Sequence, residues 1–331
     1  MRLSPAIVLS TLVSVGLTSC AAPPTDVVAE DPPPPTRIYA TIVSHNETDT
    51  NTLCRENLNH DPAQHAANRV LLQKLVDGVV ARGAAFDQQS DYAWLANVAD
   101  PTFETAALTA TTDGKNIVEY MATVDPEHVV VDAHHHEDPF PNGENWADVT
   151  ERLNALGAPD TGVVGGFIFS PATDSLVEQM QGYAASGLTA TRSSKVWYPT
   201  ILWGGGSADH AGDDDTASGV WRPTSNADYY TDDPSQALVN VGHYTGELDF
   251  TGLADLVAKY QAGALEEGAM YTVTLMTLQC AFTEEQIDSI LAEVDRYSSQ
   301  TAEGWLVWKT LDQVAYDWQT VYRSTPHIYQ P

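Results

Sequence analysis

The stretch VVVDAHHHED, residues 129–138, ends an apolar run in three consecutive histidines and two acids. Val129, Val130 and Val131 follow the turn-forming pair Asp125-Pro126, so the run predicts a buried strand with the polar cluster where that strand emerges. Side chains alternate across a strand, which places Asp132, His134 and His136 on one face and His135 on the other. That first face has the chemistry of a metal site.

Working outward, apolar runs of the same kind recur. Residues 38–44 (IYATIVS) end in His45-Asn46-Glu47, and residues 92–98, 162–169, 196–203, 237–242 and 270–278 read as further strands. Helical spacing lies between them. Leu71, Leu72, Leu75, Val76, Val79 and Val80 recur at that spacing and stop at Gly83; residues 116–124 form a short helix; Val149, Leu153 and Leu156 mark the next. Leu253, Leu256, Val257 and Tyr260 mark another. Thr283-Glu284-Glu285-Gln286 fits a capping box, with Phe282 and Ile287 placed as a hydrophobic staple. A last helix is expected to carry Trp305, Trp308, Leu311, Val314, Trp318 and Val321. The alternation of strand and helix predicts an α/β fold, a single (β/α) barrel over residues 37–331 that is closed or nearly closed. The C-terminal ends of barrel strands share one mouth, so His45, Glu47, His134, His136 and His243 are expected to converge there.

Imidazole and carboxylate are ordinary ligands of zinc and related divalent ions. The expected ligands are His45 or Glu47 from the first strand with His134 and His136 from the third. Zinc is the first expectation, with cobalt or manganese as alternatives. Such an ion lowers the pKa of bound water and polarises a carbonyl, as hydrolysis of an amide or ester requires. Asp132, Glu137 or Asp138 would then serve as general base. The competing explanation is that these side chains hydrogen-bond one another at a strand end.

The order of strand-end motifs resembles the polysaccharide deacetylase superfamily. That resemblance implies a distorted seven- or eight-stranded (β/α) barrel, a divalent metal, and removal of acetyl groups from N-acetylated sugars. Ser44-His45-Asn46-Glu47 stands where the family has paired aspartates, and VDAHHHED where it has a His-x-x-x-His segment. His134 matches the first histidine of that segment, while His136 or Asp138 takes the second role. Trp221-Arg222-Pro223 resembles the motif whose arginine orients the catalytic carboxylate, against a plain salt bridge for Arg222. Residues 239–244 resemble a fourth motif, with Trp203, Trp221 and Tyr244 as aromatic surface for a sugar. The sequence departs from the family in VTLMTLQ, which lacks the late histidine that acts as general acid. His243 or His210 is the substitute.

The first residues predict export. Arg2 precedes the short apolar run AIVLSTLVSVGL, a signal-peptide core, and Leu17-Thr18-Ser19-Cys20 resembles a bacterial lipobox in which Cys20 is lipidated. Residues 1–19 are thus expected to be a signal, and 20–36, Pro-rich and acidic, a tether holding the domain off a membrane of the bacterial cell envelope. The sequence leaves two further cysteines, Cys54 just past the first strand and Cys280 just past a late one. Closing strands of a barrel are neighbours, so a disulfide between those loops is expected, detectable in the intact mass.

Lys and Arg number 15 against 45 Asp and Glu, a formal net charge of -30. Such a surface repels nucleic acid and anionic lipid; a carbohydrate substrate is what the resemblance implies, and the lipobox implies a lipid anchor as the membrane contact. Asp209, Asp213 and Asp215 lie in a Gly- and Asp-rich insertion, 204–236, that reads as a lid or binding loop; its acids lack EF-hand spacing. Two other functions fit the same chain: a glycan-binding barrel without catalysis, and a glycoside hydrolase using Glu47 and Asp132.

Overall fold

The computed structural model describes residues 32–46, 61–135, 144–168, 175–205, 217–244 and 250–330. Its centre is the strand β1 (Arg37–Asn46), whose sequence RIYATIVSHN is buried almost throughout. Ile38, Ala40 and Ile42 join the core under the helices, whereas Tyr39 and Val43 join a second cluster inside the sheet's curve. This alternation puts His45 on the inner face with Tyr39 and Val43.

The other strands are β2 (Phe86–Ser90), β3 (Val129–His134), β4 (Val163–Ile168), the hairpin β5 (Leu188–Thr189) and β6 (Val196–Trp197), β7 (Ile201–Gly205), β8 (Val220–Trp221), β9 (Val239–Val241), β10 (Met270–Leu278) and β11 (Leu306–Trp308). The main sheet runs β10-β1-β2-β3-β4-β7-β9-β8. Every neighbouring pair up to β9 is parallel, and only β8 runs antiparallel, on β9. β11 pairs with residues 38–40 of β1 below the stretch that β2 takes, Ile42 to Asn46. The two ends of the sheet nearly meet. Thr274 N on β10 donates to His243 O just past β9 at 2.9 Å, and Gly219 N beside β8 donates to Thr272 Oγ1 at 2.7 Å. The result is an α/β fold around a nearly closed, barrel-like sheet whose parallel strands all open at one mouth.

Helices α1 (Pro62–Val80), α2 (Tyr92–Ala99), α3 (Ala106–Thr109), α4 (Ile117–Val124), α5 (Trp146–Ala155), α6 (Leu176–Ser186), α7 (Thr251–Gln261), α8 (Glu284–Arg296), α9 (Ser298–Glu303) and α10 (Leu311–Thr320) are also present. The capping box at Thr283 forms, with both reciprocal hydrogen bonds made, and Phe282 and Ile287 are buried beside it. Leu311, Val314, Ala315 and Trp318 of α10 pack with Tyr39, Met270 and Val239, at the N-terminal ends of their strands. This helix plugs the barrel at the end opposite the mouth. Full burial of Leu311 and of Val314 contributes about 1.5–3 kcal/mol each.

Four sequence expectations change. Residues 92–98 form α2, not a strand, because Asp91 caps it by accepting from Trp94 N, and Trp94, Leu95 and Val98 share its buried side. The second strand is instead FDQQS, whose polar residues are wholly buried. The run 196–203 is broken into β6 and β7 around Pro199, which has no N–H for a ladder. Trp305 to Trp308 do not belong to the last helix: Gly304, at φ 81°, ends α9, and the chain re-enters the sheet as β11.

Candidate functional site

Three strands, β1, β3 and β7, and the segment just past β9 deliver imidazole or indole to the mouth. The rings of His45 and His134 lie 4.5 Å apart between centroids, the edge of Trp203 meets His45 at 5.3 Å, and Trp203 lies 5.3 Å from His243. All four residues are buried. His243 is set by its Nε2, 3.2 Å from the carbonyl oxygen of Gly204. The convergence expected of β1 and β3 is therefore present for His45 and His134. Glu47 and His136, the other expected ligands, lie outside the described residues, as do Glu137, Asp138 and His210. Among the described residues no group of three or more His, Cys, Asp or Glu side chains is placed to hold a metal ion. Two neighbouring imidazoles on rigid strands have the chemistry of part of a divalent-ion site.

The backbone opposite is cut back to admit these rings. Gly166 has φ 72°, and a Cβ there would stand 2.7 Å from His134 Nε2. At Gly165 a Cβ would stand 2.5 Å from Gln89 Oε1. β4 shifts register between Val164 and Phe167, so the two glycines lie in a local irregularity of the strand. The carbonyl of Gly165 is turned outward to Trp146 Nε1 (3.0 Å) and His135 N (3.2 Å). His135 is on the outer face, as the alternation requires, with its ring edge-on to Trp146 at 5.5 Å. Burial lowers its pKa to about 4, so it is neutral at physiological pH and packs as an aromatic.

Beneath the histidines sits a pair of acids that sequence alone reveals only in part. Asp132 faces inward with His134, and Asp87 of β2 joins it; both are fully buried. Asp132 Oδ1 accepts from Thr161 Oγ1 at 2.5 Å, and Asp87 Oδ2 accepts from Leu311 N, at the start of the plug helix, at 2.9 Å. Burial, and for Asp87 the facing carboxylate of Asp132, holds Asp87 well above the usual range, and burial raises Asp132 to about 7.

The remaining expected site residues are placed elsewhere. Arg222 forms a two-pronged pair with Asp232 (Nε–Oδ1 3.0 Å, Nη2–Oδ2 2.8 Å) and lies over Trp318 at the plugged end. Since β8 runs antiparallel, Arg222 is carried away from the mouth, and its expected orienting role gives way to a structural ion pair. Trp221 is fully buried, its Nε1 donating to Tyr229 O at 2.6 Å, so it is core and not a sugar platform. Tyr244 is also buried and donates to Asp255 Oδ2 at 2.6 Å. Of the three aromatic candidates, Trp203 alone lies among the histidines. Cys280 is buried in the short turn past β10, while Cys54, Cys20 and the acids Asp209, Asp213 and Asp215 lie outside the described residues. Sequence reasoning missed Asp87, Gln89 and the Gly165-Gly166 pair; the run FDQQS after the Gly83 turn was the available signal for the first two, and the paired glycines inside VVGGFI for the last.

No protein-family model matches the sequence, and no curated protein matches it. Among solved structures, this chain is similar to a proposed glycoside hydrolase/deacetylase from Parabacteroides distasonis at 11% identity. The TM-score is 0.48, over 87% of this chain and 72% of that one. Likeness at that level carries no weight for the chemistry, which stands on the strand order and mouth geometry of this chain.

Proposed function

We propose that this chain is an exported, metal-dependent hydrolase that removes acyl groups from a carbohydrate, on a deacetylase-type barrel. The observation that carries this is the meeting of His45 and His134, from strands far apart in sequence, with Trp203 against them. His45 and His134 would hold zinc, cobalt or manganese, with Glu47 and His136 completing the set. The ion, when bound, would activate water and polarise the scissile carbonyl. Trp203 would give the sugar an apolar wall. His243, held in place by Gly204, would protonate the leaving group. Asp132 is fully buried below the mouth and accepts from Thr161, which favours Glu137 or Asp138 as the general base. The same enclosure speaks against Asp132 as a glycosidase carboxylate, since such a group must touch the sugar. Export through residues 1–19, lipidation at Cys20 and a Cys54–Cys280 disulfide complete the proposal; among the described residues no helix is long and apolar enough to cross a membrane.

The direct test is acetate release from acetylated oligosaccharides by the metal-loaded protein. Release that stops on chelation and returns with zinc, cobalt or manganese is the expected result. Retention of glycan with no release under any of these metals would instead establish a binding barrel.

A further inference from the structure

Two side chains at the mouth carry polar atoms that the fold does not use. Gln89 is fully buried, yet neither its Oε1 nor its Nε2 has a hydrogen-bond partner among the described residues. The same is true of the indole Nε1 of Trp203, which is 3% exposed. Buried polar groups are ordinarily paired, because leaving one unpaired forfeits its hydration with no return. Gln89 is nevertheless accommodated with care. In register it stands between His45 and Asp132, and the glycine at 165 leaves room for its Oε1, where a Cβ would sit 2.5 Å away. Apolar residues of similar volume would fit a barrel interior better, so the amide is retained for something that enters the mouth.

A carboxamide presents one acceptor and one donor side by side. A secondary amide supplies an N–H for Oε1; being trans, it turns its own carbonyl to the opposite side, so the acceptor for Nε2 is a sugar oxygen beside the amide. An ester has the carbonyl but no N–H, and would leave Oε1 buried and unpaired. We propose that Gln89 is a substrate-binding residue that selects an N-acyl over an O-acyl group, its Oε1 accepting from the substrate N–H and its Nε2 donating to a substrate oxygen. The Trp203 indole N–H donates a further hydrogen bond to the same ligand. This specificity rests on the carbohydrate-acyl proposal above and narrows it.

The test compares full-length wild type with Gln89→Leu and Gln89→Met, titrating a 2-acetamido oligosaccharide and its 2-O-acetyl counterpart by calorimetry. Wild type is expected to prefer the acetamido ligand by about tenfold or more, as sites built to hydrogen-bond a group reject analogues lacking it. Both variants are expected to lose that preference and bind the two ligands alike. Without ligand they should melt at or above the wild-type temperature, because an unpaired buried amide has been replaced by an apolar chain. Three results would overturn the inference: no preference in wild type, a preference that survives in both variants, or a lower melting temperature in both, which would make the amide a prop of the fold. Acetate release is scored separately. Preference without release retires the hydrolase and leaves Gln89 as the selecting residue; release without preference retires this inference alone.

Discussion

At Gly166 the site depends on a missing atom. Its φ of 72° is a conformation that L side chains enter at a cost of about 1–3 kcal/mol, and a Cβ would meet His134 Nε2 at 2.7 Å. Gly166→Ala is therefore expected to destabilise the protein by about 1–3 kcal/mol in denaturant melts. It should also displace His134 and weaken zinc retention; a variant with unchanged stability and zinc affinity would show that His134 is not seated by this glycine. Adjacent histidines have opposite fates here. His134 faces the mouth, and His135 packs on Trp146. That division was legible in VVVDAHHHED, because alternation along a strand depends on nothing beyond the strand itself. Gln89 was not legible, since an unpaired amide is recognised only once its neighbours are known.

Among the elements, β2 shows where periodicity fails. FDQQS has one apolar residue, and its polar side chains are buried because they serve the mouth, the plug and the amide cluster Asn46-Gln88-Gln279 behind β1. A strand lined for function looks like a loop in sequence. The same element joins β2 to α10, through Asp87 and Leu311 N, and this link is pH-sensitive. Asp87 and Asp132 have folded-state pKa values raised above the unfolded value, Asp132 to about 7. Their contribution is fully present below about pH 4, the unfolded aspartate pKa, and is lost as pH rises through the folded values. The melting temperature is expected to fall between pH 5 and pH 8, and Asp87→Asn, whose amide can bond both Leu311 N and Asp132, should flatten that fall. An unchanged profile in Asp87→Asn would remove the acid pair from the account. Elsewhere local signals sufficed: the Thr283 capping box and the helix ending near Gly83 are where the sequence places them, because caps and glycine turns are decided by a few neighbouring residues. The misread segments, 92–98 and 305–308, are short apolar runs whose state is settled by the cap at Asp91 and by pairing with β1.

At the scale of the whole molecule, alternating strands and helices dictated parallel strands with a common mouth, and that is the arrangement observed from β10 through β1 to β9. Closure by the Thr274–His243 hydrogen bond and the antiparallel turn of β8 were not readable, because both join segments with no local signature for each other. The turn of β8 is also what carries Arg222 to the far end, where Asp232 and Trp318 hold it. The net charge of -30 spreads over a protein whose mouth is lined by imidazole, indole and amide, so any cation specifically held is expected at the mouth and not on the general acidic surface. Metal content after exhaustive dialysis against zinc buffer is the most direct measurement. About one zinc per chain is expected for wild type and for His135→Phe, and a loss of at least about tenfold in affinity for His45→Ala and for His134→Ala, as removal of a ligand to a catalytic ion implies. Equal zinc in all four proteins, or none in any, would contradict the proposal that the two imidazoles of β1 and β3 form one metal site.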